Sequence, residues 1–286
     1  MTDNATTVAA LQLSYGDDMK DNIAKTAHHI ERAAKDGAQV VLPSELFQGQ
    51  YFCTKQDPIW FETAHPAESH PCVVALRPLA KALKIVIPVS IFERAGPEYY
   101  NSVVMIGDAG DVMGTYRKTH IPDGVGYQEK YYFKPGNTGF KVWHTRYGAI
   151  GVGICWDQWF PEAARAMALQ GAEFLFYPTA IGSEPYDAEL DSSAAWRRAM
   201  QGHAVCNAVP VVAANRVGKE NANDAPQDYY GHSFICGQDG DMLQSFGKCE
   251  EGALLYCFDR DALRRYRAIW GFFRDRRPNC YADLTR

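Results

Sequence analysis

The stretch Gly148 to Glu162, G-A-I-G-V-G-I-C-W-D-Q-W-F-P-E, changes character partway along. Ile150, Val152 and Ile154 alternate with small residues, the pattern of a buried strand that lets neighbouring layers approach closely. Pro161 suits a first helical position, because its missing N–H has no partner there, and Glu162 suits the positive end of the helix dipole. Cys155 sits at the junction. A thiol at a strand end, close to a helix N-terminus, is where a thiolate is stabilised and open to substrate. The plain alternative is a small buried hydrophobe, and this stretch alone does not separate the two.

On either side of the junction the chain repeats one order of elements. Ahead of it the pattern predicts a strand at 8–13 and a helix at 17–36, with Ile23, Ala27, Ile30 and Ala34 as its apolar stripe. A strand at 38–42 and a helix at 71–83 follow, with a kink or break expected at Pro78. Next come a strand at 84–92 and a hairpin pairing 102–106 with 112–116 around G-D-A-G-D. Behind the junction the series is a helix at 161–170, a strand at 174–177, a helix at 192–207, a strand at 209–214 and a hairpin pairing 233–236 with 242–246 around G-Q-D-G-D. A strand at 254–258 and a helix at 260–267 close the regular part. The repetition predicts one α/β domain over residues 1–286, made of two similar halves whose sheets pack face to face with helices outside. Residues 219–228, polar and rich in Asn and Asp, are the expected least ordered segment.

Composition narrows the function. The 286 residues are 47% hydrophobic and 22% charged, and the net charge of −5 argues against nucleic acid as a partner while favouring neutral or cationic small molecules. The eight cysteines show neither C-x-x-C nor zinc-ligand spacing, and residues 1–7 are too polar for a signal peptide. Free thiols in a reducing cytoplasm are therefore expected, with no membrane-spanning run.

Two further residues resemble Cys155 in placement. Glu45 follows the apolar run A-Q-V-V-L, and a carboxylate at the carboxyl end of a buried strand faces the crevice where α/β sheets bind ligands; otherwise it is an acid capping the next helix. Lys118 follows V-M-G-T-Y in the same manner, the alternative being a solvated surface lysine. Glu129, in G-Y-Q-E-K-Y-Y-F, has an aromatic setting that suggests burial, and Lys118 is an available partner. Together these suit acyl transfer: Cys155 as nucleophile, Glu45 as the base taking its proton, Lys118 and the Trp156 backbone N–H as donors to a developing oxyanion. A Cys155–His120 or Cys155–His203 pair stays open, with His120 read as structural. The G-V-G of the strand lacks the third glycine of a dinucleotide loop, since Trp156 stands there.

P-S-E-L-F around Glu45, Y-R-K-T-H-I-P-D around Lys118 and G-I-C-W-D-Q-W-F-P-E around Cys155 resemble, in that order, the nitrilase superfamily of carbon–nitrogen hydrolases. The resemblance implies a four-layer α–β–β–α sandwich, a homo-oligomer, no metal or organic cofactor, and a role for Glu129 in supporting the lysine and the substrate. Within that superfamily, I-P-D-G-V-G-Y-Q-E-K-Y-Y-F-K-P-G-N-T-G-F and F-Y-P-T-A-I-G-S-E-P are similar to members that hydrolyse a carbamoylated diamine to the diamine, carbon dioxide and ammonia. For such a substrate Glu184, on the loop past F-L-F-Y, is expected to hold the ammonium end, with Tyr51 and Trp156 adding cation–π contact. The tail, 270–286, places Trp270, Phe272 and Phe273 beside Arg274, Arg276 and Arg277, and is expected to mediate assembly. The rivals are a hydrolase of an ω-amide or β-ureido acid, a non-hydrolytic thiol protein, and a silent binding protein.

Overall fold

The computed structural model describes residues 4–187, 189–222 and 226–285. The first half runs β1 (Ala5–Gln12), α1 (Met19–Lys35), β2 (Val40–Leu42), α2 (Pro71–Leu83), β3 (Ile87–Ala95), β4 (Glu98–Ile106), β5 (Val112–Arg117) and the single turn α3 (Glu129–Tyr132). The second runs β6 (Val142–Thr145), β7 (Gly148–Val152), α4 (Pro161–Leu169), β8 (Phe174–Thr179), α5 (Ser193–Asn207), β9 (Val211–Asn215), the hairpin β10 (Val217–Glu220) and β11 (Gln227–Tyr230), β12 (Phe234–Cys236) and β13 (Met242–Ser245). β14 (Gly252–Asp259) and α6 (Arg260–Trp270) follow.

One sheet has the order β13-β12-β9-β8-β7-β6. The other is built from β14-β1-β2 and β3-β4-β5, tied together where Val41 N donates to Val86 O (3.0 Å) and Val86 N to Gln39 O (2.9 Å). The halves correspond strand for strand. β1 and β7 each run parallel to the next strand in sequence and carry an antiparallel strand on the other side, β14 and β6 respectively.

Alternation along the strands makes the layers. Val8, Ala10, Val103, Met105, Phe174, Phe176, Val212 and Ala214 point into one core between the sheets. Their sequence neighbours Ala9, Leu11, Val104 and Ile106 pack instead with Ile30, Ala33 and Leu76 of α1 and α2. Leu175, Tyr177, Val211 and Ala213 pack with Met167 of α4 and Met200 of α5. Period two places successive side chains on opposite faces, so both faces of both sheets are apolar and the α–β–β–α order follows. Each large side chain taken out of water here contributes about 1.5–3 kcal/mol.

Several sequence expectations are corrected. Pro78 does not break α2: the acceptor it fails to pair is the carbonyl of Val74, whose residue is exposed, so that group can stay hydrated. β3 lies three residues later than expected and β4 is longer, and the two meet in a second hairpin through Gly96 and Pro97, with Ala95 opposite Glu98. β6 gave no signal. The two ends of 219–228 are strand, Lys219 pairing with Asp228 and Glu220 with Gln227, while 223–225 lie outside the described residues. The α-helix begins at Pro161 as expected, but a 3-10 turn, Cys155–Trp159, stands between the strand and it.

Gly136 backs the end of β5, its N–H bonded to Lys118 O at 2.8 Å. A Cβ there would lie 2.0 Å from Arg117 O and 2.9 Å from Lys118 O, both backbone atoms. Gly136→Ala is expected to cost about 3 kcal/mol through forced backbone movement, read as a lowered midpoint in denaturant titration. A midpoint within error of the parent chain would show that the strand end yields freely.

Candidate active site

Three strands end at one place. Glu45 stands just past β2, Lys118 directly past β5 and Cys155 just past β7, all at carboxyl ends. Their environment is dry: Glu45 and Lys118 are fully buried, Glu129 is 1% exposed and Cys155 8%. Lys118 Nζ lies 2.9 Å from Glu45 Oε1, and 2.9 and 2.7 Å from the two oxygens of Glu129. Asn101 Nδ2 donates to Glu45 Oε1 at 2.7 Å, and Tyr51 Oη donates to Glu129 Oε1 at 2.7 Å. Glu45 Oε2 is buried and has no hydrogen-bond partner among the described residues.

The charges set one another. Burial opposes the Lys118 ammonium most strongly, but Glu129 and Glu45 together outweigh it and hold the lysine protonated. Burial also raises the Glu129 carboxyl, with Lys118 pulling the other way. The Cys155 thiol is pushed well up, first by burial and then by Glu45, while Lys118 and a hydrogen bond from the Ala180 backbone act against the rise. Both leading effects favour the neutral thiol, so a nucleophilic role for Cys155 would call for a base beside it.

The turn that carries Cys155 is clamped from below. Cys155 has φ = 40°, a left-handed conformation that a non-glycine residue keeps only where its surroundings impose it. Asp157, fully buried, does much of this: Oδ2 accepts from Ile154 N (2.9 Å) and Tyr116 Oη (2.7 Å), and Oδ1 from His120 N (3.0 Å). It thereby ties the residues flanking Lys118 to the turn that holds Cys155. His120 Nδ1 also pairs with Asp157 Oδ1 at 2.7 Å, and its ring stacks on Phe160 at 3.7 Å between centroids. His203 Nε2 donates to Gln158 O at 2.7 Å. Both histidines are thus engaged in bracing the turn.

A cavity of about 250 Å³ opens above Cys155, with Glu129, Trp156, Ala180 and Glu184 in its wall. The Trp156 side chain is 40% exposed there. Glu184 is half-buried, and burial raises its carboxyl. Its loop is pinned by Tyr127, whose hydroxyl bonds Gly182 O and accepts from Gly182 N, each at 3.1 Å, and by Gln227 Nε2 to Ser183 O at 2.6 Å. Tyr51 is placed otherwise than expected: its ring is 1% exposed and absent from the wall, and its hydroxyl is spent on Glu129. Several residues at the site carried no signal in the sequence, Asn101 and Asp157 among them. Asp123 and Tyr127 line the cavity from the turn-rich segment after Lys118. Ala180 lies just past β8, where the strand-end rule that found Glu45 also applies.

Lys118→Gln leaves two buried carboxylates facing each other and is expected to cost about 3–5 kcal/mol in stability. Turnover is expected to fall by about 10²-fold or more through the lost oxyanion donor. Removing the Glu129 charge as well, in Lys118→Gln/Glu129→Gln, is expected to restore much of the thermal midpoint and none of the activity. If stability and activity return together, Lys118 serves only as a counter-ion.

Known proteins share this sequence and fold. The family model described as carbon–nitrogen hydrolase matches residues 7–268. The chain is 54% identical to the N-carbamoylputrescine amidase of Solanum lycopersicum over 97% of this chain and 94% of the relative. It is 50% identical to the citrullinase of Francisella tularensis over 98% of each. A crystal structure of a carbon–nitrogen hydrolase from Helicobacter pylori superposes with a TM-score of 0.93 at 36% identity, covering 99% of both chains. With a family model matched across nearly its whole length and relatives at half identity, the chain belongs to the carbon–nitrogen hydrolases of the nitrilase superfamily.

Proposed function

We propose that this enzyme hydrolyses N-carbamoylputrescine to putrescine, carbon dioxide and ammonia. The observation that carries the reading is the wall of the cavity. Its charged groups among the described residues are acids, Asp123, Glu129 and Glu184, with no lysine or arginine among the lining side chains. A carbamoylated diamine brings a neutral ureido end to Cys155 and an ammonium to the far acids. The names of the tomato, potato and Arabidopsis relatives, at 51–54% identity, support the same substrate.

Cys155 attacks the ureido carbonyl while Glu45 takes the thiol proton. Lys118 and backbone N–H groups, those of Trp156 and Ala180, stabilise the oxyanion. Glu45 returns the proton to the departing ammonia, then activates water against the carbamoyl thioester. The released carbamate breaks down to carbon dioxide and the amine. Glu129, steadied by Tyr51, keeps Lys118 in place.

A second reading, hydrolysis of citrulline, is favoured by the Francisella relative's name. Citrulline carries a carboxylate beside its ammonium, and the wall offers that carboxylate no cation among the described residues. Ammonia release from N-carbamoylputrescine, citrulline, a β-ureido acid and a simple amide separates these readings. The diamine derivative is expected to lead in kcat/KM; citrulline leading would overturn the proposal. Cys155→Ala is expected to fold and lose nearly all turnover with every substrate. Glu184→Gln is expected to cost about 1.5–3 kcal/mol in kcat/KM for N-carbamoylputrescine, mainly in KM, and to leave uncharged carbamoyl-alkylamines almost unaffected. Equal losses on both would remove Glu184 from substrate recognition.

The same reading makes the enzyme a cytoplasmic homo-oligomer, a setting that suits its eight unpaired cysteines. No helix among the described residues is long and apolar enough to cross a membrane. The surface of α4, α5, α6 and the tail exposes Leu169, Val205, Ile269, Trp270 and Leu284. Phe273 is held against the body by Arg165 and Arg267, whose guanidinium carbons lie 5.0 and 5.5 Å from its ring centroid. Light scattering at micromolar concentration is expected to give a multiple of 31.9 kDa, and a stable monomer would refute assembly.

A further inference from the structure

Arg216 and Glu220 form a fully desolvated ion pair that touches neither the cavity nor Cys155, with Arg216 Nη1 2.6 Å from Glu220 Oε1. Both come from the second half of the chain, at the end of β9 and in β10. What they hold belongs to the first half. Arg216 Nη2 donates to the backbone carbonyls of Glu45 (2.9 Å) and Leu46 (2.8 Å), and Nη1 to that of Gly49 (3.2 Å). Glu220 Oε2 accepts from Tyr51 N at 2.6 Å. The pair thus grips residues 45–51 at four points. One end of that segment is Glu45; the other is Tyr51, whose hydroxyl holds Glu129.

The segment is irregular, Leu46 is left-handed at φ = 47°, and the N–H of Glu45 makes only a long bond, 3.4 Å, to Thr179 O. Ser90 Oγ accepts from Leu46 N (3.0 Å), and the Gln48 side chain bonds Phe92 N (2.8 Å) and Thr63 O (3.1 Å), but these anchor the middle of the segment and leave the Glu45 and Gly49 carbonyls and the Tyr51 N–H to Arg216 and Glu220. A buried ion pair adds little net stability compared with well-packed apolar residues. A planar guanidinium with a fork of donors can, however, bind several carbonyls at once. Tyr15 and Tyr229 lie against its faces, their ring centroids 5.1 and 5.5 Å from the guanidinium carbon, and keep it in one orientation.

We propose that Arg216 and Glu220 are positioning residues for catalysis: they set where the Glu45 carboxylate and, through Tyr51, the Glu129 carboxylate stand relative to Cys155. The proposal rests on Glu45 being the proton carrier. Glu220→Gln keeps the shape but can accept from only one of its two present donors. Arg216→Lys, the harsher change, cannot reach three carbonyls and a carboxylate together. Steady-state ammonia release is measured well below the melting temperature and expressed per folded molecule, the folded fraction coming from circular dichroism. Glu220→Gln is expected to lower kcat by about 10- to 10²-fold, because small displacements of reacting groups cost that much, with KM changed less than about threefold. Arg216→Lys is expected to do the same where it folds. A kcat per folded molecule within twofold of the parent, or a rise in KM alone, overturns the proposal. Glu45→Gln separates the two layers of the argument: if it is inactive while Glu220→Gln is normal, only the positioning role fails. If Glu45→Gln itself keeps full turnover, the proton-carrier reading fails.

Discussion

The ammonium of Lys118, wedged between two carboxylates out of reach of water, is the constraint around which this structure is organised. Each of these charges, alone in that place, would cost several kcal/mol of lost hydration. Together they are tolerable only at hydrogen-bonding distance, so β2 and β5 have to end, and the short α3 to begin, where they do. One cation against two acids leaves an excess of negative charge beside the thiol. Burial first, and that excess after it, favour the neutral form of the Cys155 thiol.

Much of the architecture was written in period two. Strands buried on both faces read as apolar runs, and in this chain they recur in the same order on either side of Gly148, so two stacked sheets were the economical arrangement. The misses have local causes. Pro78 warns of a broken helix only if its orphaned carbonyl is buried, and exposure is not visible in the string of residues. β6 is short, edge-lying and half-exposed, V-W-H-T, with no run to betray it. The strand ends of 219–228 were hidden because Glu220 and Gln227, polar residues that composition assigns to solvent, are buried there.

Placement was legible where chemistry and strand ends coincide, as at Glu45, Lys118 and Cys155, which the structure gathers in one place. It was illegible where a residue acts at second hand. Tyr51 was read as an aromatic facing substrate, whereas its ring is sealed in the aromatic cluster with Phe52 and Tyr229 and only its hydroxyl matters to the site. Asp157 sits in plain view beside the cysteine, yet its four acceptor contacts join segments some forty positions apart in the chain. No spacing rule describes such a contact; it exists only after the halves have met.

β14 carries a further meaning. It lies against β1 along the full length of both, from Ala5 opposite Asp259 to Gln12 opposite Gly252. Until residue 259 has left the ribosome, β1 therefore presents a bare row of amide and carbonyl groups on one side of an otherwise apolar strand. The second half meets no such delay, since its matching flank, β6, is made just before β7. The two halves, alike in shape, mature in opposite senses during synthesis: the one translated first is the one completed last. Closing the long loop between β1 and β14 is entropically expensive and slow, so the nascent amino-terminal sheet is the part of this molecule most in need of protection from neighbouring chains.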